Sequence, residues 1–169
     1  MCHFISRQHE YLHYKWNPSL CSIFIALDKT LWKAKASSVH QAQPPEVVFD
    51  GNCSPWNKFT AFSAGRAAFQ WLQIEFPMVI KGIKAVEVVK RHSLYMRFRE
   101  VELRIGNADE SGNGVVQFTE NPLVGYSGQA TNDPVCVFNL ESKYVYGKYL
   151  TLQIIVEEHI EAAELFIIV

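Results

Sequence analysis

From Trp71 onward, apolar and polar residues alternate with a period of two. Leu72, Ile74 and Phe76 alternate with Trp71, Gln73 and Glu75; Val101, Leu103 and Ile105 alternate with Glu102 and Arg104; Leu150, Leu152, Ile154 and Val156 alternate with Thr151, Gln153 and Ile155. Successive side chains of an extended strand point to opposite faces, so each run predicts a sandwich strand with one apolar face and one mostly polar face. Glu164 to Val169 is apolar on both sides and predicts a last strand. Asp50-Gly51-Asn52, the stretch Asn107 to Gly114 and the stretch Gly125 to Pro134 are rich in turn formers and predict connections. The best helical candidate, Glu157 to Ala163, is too short to be stable alone and reads as the loop joining the last two strands. The prediction is an all-β, antiparallel β-sandwich over residues 24–169, preceded by an extension over residues 1–23 that shows no periodicity.

At 169 residues and 19.3 kDa the chain suits one domain with a substantial core. Hydrophobic residues make up 49% and charged residues 20%, an ordinary globular balance. The formal net charge of −1 excludes a nucleic acid partner, or an anionic membrane, held by bulk electrostatics. Leu20 to Leu27 is far too short to span a bilayer. Met1 to Trp16 carries His3, Arg7, His9, Glu10, His13 and Lys15 and lacks the basic-then-apolar order of a secretory signal. Cys2, Cys21, Cys53 and Cys136 show no CxxC spacing that would suggest zinc. They allow three pairings if oxidised, or remain buried thiols.

Six segments, in order, resemble the discoidin family (coagulation factor 5/8 type C) and, within it, the fucose-binding F-type lectins. Ala26-Leu27-Asp28-Lys29-Thr30 with Ala36-Ser37-Ser38 looks like the opening strand, and Val48-Phe49-Asp50-Gly51-Asn52 like the Ala-Val-Asp-Gly-Asn turn. Trp71 to Phe76 is similar to Trp-Trp-x-Val-Asp-Leu, and Arg97 through Val101 to Gly106 to the Arg-x-x-x-x-Glu-Ile-x-Ile-Gly segment. Gly147 to Leu152 and Ala163-Glu164-Leu165 resemble the closing pair of strands. The resemblance implies a jelly-roll, galactose-binding-domain-like sandwich, an extracellular setting, and glycans or glycoproteins, fucosylated ones included, as partners.

It also implies site residues. F-type lectins place a structural calcium (Ca2+) at the Asp-Gly-Asn turn, and the matching positions are Asp50, Asn52 and Glu164, with the carbonyls of Val47 and Ala163. A hard cation wants six to eight oxygens, which such a turn supplies; the alternative is that Asp50 and Asn52 hydrogen-bond only their own turn. The family binds fucose with a His, then Arg-x-Asp, then a second basic residue. Arg91 and Arg97 match the basic positions, but Ser93 stands where the family has Asp, and no His falls between His40 and His92. Phe62 and Arg66 are nearest the missing His. Guanidinium groups grip adjacent hydroxyls with planar, forked donors, while the competing expectation for Arg97 is a structural ion pair. Phe62 and Tyr95 are candidate sugar contacts, within an aromatic set of Trp56, Phe59, Phe62, Phe69, Tyr95 and Met96 that is otherwise core.

No Ser-His-Asp arrangement, paired metal histidines or phosphate-binding glycine loop appears, so the expectation is a non-enzymatic sugar-binding module. The alternative is a discoidin adhesion module that presents the same loops to phospholipid or protein, or a divergent domain without a sugar.

Overall fold

The computed structural model describes residues 27–40, 43–52 and 61–169. Ten strands are named in chain order: β1 (Lys33–Ala36), β2 (Phe62–Ser63), β3 (Trp71–Ile83), β4 (Ala85–Val89), β5 (Val101–Gly106), β6 (Leu123–Ser127), β7 (Val135–Asn139), β8 (Val145–Ile154), β9 (Glu161–Ala162) and β10 (Glu164–Ile168). Every pairing between them is antiparallel. A five-stranded sheet runs β1-β3-β8-β5-β6, a three-stranded sheet β10-β4-β7, and β2 pairs with β9. Among the described residues no helix is long and apolar enough to cross a membrane.

The apolar members of the predicted alternations are the core. Leu72, Ile74, Phe76, Leu103, Leu150 and Leu152 from the large sheet meet Val86, Val88, Leu165 and Phe138 from the small one in one buried cluster. Trp32 closes one edge, with its ring 5.1 Å from Phe76 and 5.8 Å from Phe49 in edge-to-face contact. The all-β sandwich predicted from periodicity is the architecture found.

Other expectations change. Ala26 lies outside the described residues, and Lys29–Leu31 is not strand but a 3-10 turn. Asp28 caps it by accepting the Thr30 N–H at 3.0 Å. Gly125, read as connection, lies inside β6. β3 runs past Pro77 to Ile83, because its ladder with β8 slips between Glu75 and Ile80, so the proline interrupts no hydrogen bond there. A second slip, between Lys81 and Ile83, coincides with Gly82 at φ 71°.

The outer face of the five-stranded sheet, polar in sequence, is covered at its centre, while Lys35 and Tyr126 at its margins stay exposed. Gln73, Glu102, Arg104, Thr151 and Gln153 are all buried there. The connection between β5 and β6 folds over them, setting Phe118 5.6 Å from Trp71 and accepting the Trp71 indole N–H on the Gly114 carbonyl at 2.9 Å. Arg104 forks onto Glu102 at 2.8 and 2.9 Å, and Gln153 accepts the Phe118 N–H while donating to the Val116 carbonyl. Every buried polar group named on this face has a partner, as burial demands.

β5 and β8 also meet closely at their glycines. A Cβ on Gly147 would lie 2.6 Å from the Gly106 carbonyl oxygen and 2.7 Å from its nitrogen, backbone atoms that cannot swing aside, whereas one on Gly112 meets nothing within 4 Å. Gly147→Ala is therefore expected to cost about 1–3 kcal/mol in urea unfolding through overpacking. Gly112→Ala stays within about 0.5 kcal/mol of the parent.

Candidate functional site

Arg91 follows the end of β4, and Arg97 closes the 3-10 turn Tyr95–Arg97 ahead of β5. Chain geometry turns both toward β9, where Glu161 is buried at 3% side-chain exposure. Glu161 Oε1 receives Arg91 Nη1 at 2.8 Å, Arg97 Nη1 at 3.5 Å and the Ser63 hydroxyl at 3.1 Å. Glu161 Oε2 is buried and has no hydrogen-bond partner among the described residues. Arg91 is largely covered at 14% exposure, whereas Arg97 is 38% exposed and keeps donors toward solvent.

The two expected arginines thus converge, and the carboxylate that joins them is one that sequence reasoning missed. It stands 70 residues beyond Arg91 and 64 beyond Arg97, and only the β2–β9 pairing, Ser63 opposite Glu161, brings it in. No local spacing signals it. Ser93, at the position of the family's Asp, is exposed with φ 61°. Phe62 is corrected as a sugar contact: it is fully buried, because Ser63 faces the arginines and strand alternation sends its neighbour into the core. Tyr95 is half-buried, its ring 5.7 Å from His92 in edge contact and 5.7 Å from the Lys90 ammonium. Lys90 is itself buried, donating to the Thr131 carbonyl and hydroxyl at 3.0 Å, and burial pushes its pKa down.

Two histidines stand beside Ser63 and Ala64 despite the gap in the motif. The His40 N–H donates to the Ser63 carbonyl at 2.7 Å, and His159 Nδ1 donates to the Ala64 carbonyl at 2.8 Å. Their rings are 5.4 Å apart. Of the aromatic set, Phe69 is half-buried, Met96 is 52% exposed, and Trp56 and Phe59 lie outside the described residues. So do Cys2, Cys21 and Cys53, while Cys136 is a free thiol whose pKa burial raises. Two open hollows of 460 and 320 Å³ lie elsewhere, the first beside Lys35, Trp71 and Ser111, the second beside Asn107, Tyr144 and Tyr146.

The Asp-Gly-Asn turn also assembles, around an unforeseen cation. Glu164 is fully buried; its Oε1 pairs with the Lys29 ammonium, and its Oε2 accepts the Gly51 N–H at 3.0 Å. Lys29 Nζ further donates to the Leu165 carbonyl at 2.9 Å and sits 4.4 Å from the Phe166 ring centroid. Asp50 accepts the Asn52 N–H at 2.7 Å, and the Val47 carbonyl accepts the Asp50 N–H at 3.4 Å. Ala163 is buried, its N–H donated to Val89 at 2.8 Å. Among the described residues no three His, Cys, Asp or Glu side chains converge as a metal cluster would require. With Lys29 seated, a divalent ion beside Glu164 would meet the ammonium's positive charge, so the residues fit calcium only if that ammonium leaves.

Similar folds are found among solved structures. The fucolectin from striped bass (Morone saxatilis) serum superposes with a TM-score of 0.70 at 21% identity, over 85% of this chain and 46% of that one, so the chain spans about half the length of that protein. A Streptococcus pneumoniae fucose-binding module gives 0.63 at 15% identity, over 86% and 96%. The family 32 carbohydrate-binding module of Clostridium perfringens NanJ, in complex with galactose, gives 0.60 at 17% identity, over 84% and 96%. The fold is galactose-binding-domain-like. No family model matches the sequence, and a search of curated proteins by sequence finds no match. On this galactose-binding-domain-like frame, the arginine cluster and the Asp-Gly-Asn turn are joined through the short run from Glu161 to Glu164.

Burial pushes the Glu164 carboxyl above its ordinary pKa, and Lys29 pulls it part of the way back. Lys29→Met leaves that carboxylate unpaired and should cost about 3 kcal/mol at neutral pH. The pull being gone, the folded-state pKa rises further, and the deficit shrinks as pH falls and the acid takes up its proton. Urea unfolding at neutral pH and in the acidic carboxylate range checks both.

Proposed function

We propose that this chain is a non-enzymatic carbohydrate-binding module that takes the terminal sugar of a glycan at Arg91 and Arg97. The observation that carries this is the convergence of two guanidinium groups from separate elements on one buried carboxylate, with Arg97 left half open to solvent. Held this way, planar donors are pre-ordered for adjacent hydroxyls, which lowers the entropy lost on binding. Neighbours of the same fold include a fucose-binding module and a galactose-bound one, which supports sugar as the ligand class and fucosylated glycans as the first probes. Glycan display sets the module outside the cell. The Ser63 hydroxyl, bonded to Glu161, is buried and so is not presented to a substrate.

A glycan array that includes fucosides and galactosides, with and without calcium, tests this. Binding is expected, with at least a tenfold loss in the Arg91→Ala, Arg97→Ala double variant; about that factor follows from losing charge-assisted hydrogen bonds. A silent array sinks the proposal, and liposome binding abolished by Trp56→Ala would then favour the adhesion alternative. At the Asp-Gly-Asn turn, calcium enters this proposal as a competitor of Lys29. Calcium at about 1 mM, the affinity range of extracellular sites, is expected to leave the wild-type melting temperature unchanged and to raise that of Lys29→Met.

A further inference from the structure

Of the groups at the arginine site, Glu161 Oε2 is the one whose chemistry is incomplete. The side chain is 3% exposed, its Oε1 collects three donors and its Oε2 none. An ionised carboxylate only accepts, so the missing partner has to be a donor, and burying the oxygen without one is costly. We propose that Glu161 is a specificity-determining residue that reads a donating hydroxyl of the bound sugar, an inference that rests on the sugar-binding proposal above.

The arginines alone would favour an anion, because two positive groups face one negative one. The orphaned oxygen reverses that preference. A sulfate or carboxylate satisfies the guanidiniums but offers Oε2 no proton and adds a second negative charge beside it. A neutral hydroxyl does both tasks, accepting from Arg97 and donating to Glu161. Arg97 is the neighbour able to make room: it is more than a third exposed and holds Oε1 at 3.5 Å, against 2.8 Å for the well-covered Arg91. Ser63 and Arg91 meanwhile keep the carboxylate from leaving the site.

The test uses methyl fucosides and methyl galactosides deoxyfluorinated at one position at a time, since fluorine fills the site of a hydroxyl without donating. In the wild type, fluorination at one position is expected to weaken binding at least tenfold, the factor about one hydrogen bond to a charged group is worth. In Glu161→Gln the amide takes the place of Oε2 and becomes a donor, so the penalty at that same position should fall below about threefold while the parent sugar still binds. A merely structural role would weaken parent and fluorinated sugars alike. Parent sugars that bind with a penalty unchanged by Glu161→Gln overturn the inference and leave the sugar-binding proposal standing; so does a wild type that prefers sulfated or carboxylated glycans. A wild type that binds no sugar at all overturns both. Should Glu161→Gln fail to fold, Glu161→Asp replaces it. That variant keeps the charge, withdraws the oxygen by one methylene and is expected to lose the fluorine penalty; retention of the penalty refutes the inference.

Discussion

Burial of the centre of the five-stranded sheet on both faces is the constraint from which the rest follows. A sheet with one wet face can leave its polar residues to water, but here Gln73, Glu102, Arg104, Thr151 and Gln153 are shut in beneath the β5–β6 connection. Each must then be answered within the protein, and the covering loop is shaped by doing so. Glu110, fully buried within it, accepts the N–H groups of Thr119 and Glu120 and the Asn121 amide. The loop is thus fastened by polar contacts, with Phe118 as its apolar anchor.

Among the described residues the other three buried acids are answered by cations instead. Glu102 is met by Arg104, Glu161 by Arg91 and Arg97, and Glu164 by Lys29. Desolvation makes each such acid expensive unless a cation is present, and removing one partner is worse than never having had the pair. The pairs differ in completeness. The oxygens of Glu102 and Glu164 are all engaged, whereas Glu161 keeps one that is not, and this sets the arginine cluster apart from the structural pairs.

What was legible in the sequence was whatever depends on local period. The inward residues of β3, β5 and β8 follow from alternation, and the order of short motifs pointed to the galactose-binding-domain-like fold that similar structures show. Alternation cannot tell a face turned to water from one covered by a distant loop, so the burial of Gln73 and Arg104 was not legible. The site was half legible. Arg91 and Arg97 were found because they sit in a recognisable segment, but Glu161 comes from a two-residue strand whose pairing is set by tertiary structure, and Phe62 was misplaced because its strand, β2, is too short to show a period. Lys29 was read as part of a strand, and only its 3-10 turn aims the ammonium at Glu164, which lies 135 residues away.

That separation bears on how the molecule comes to exist. Glu161 and Glu164 lie close together late in the chain, while the cations they answer are made long before them. During synthesis, a growing chain that has reached Tyr149 already carries Lys29, Arg91 and Arg97 with none of these counter-charges, and of the two strands that pair with β4 it has β7 but lacks β10. Closing such distant contacts is slow, and until then the edge of β4 and the apolar residues beneath it are open to other chains. The residues that give the site its charge balance are also the ones that end this vulnerable interval.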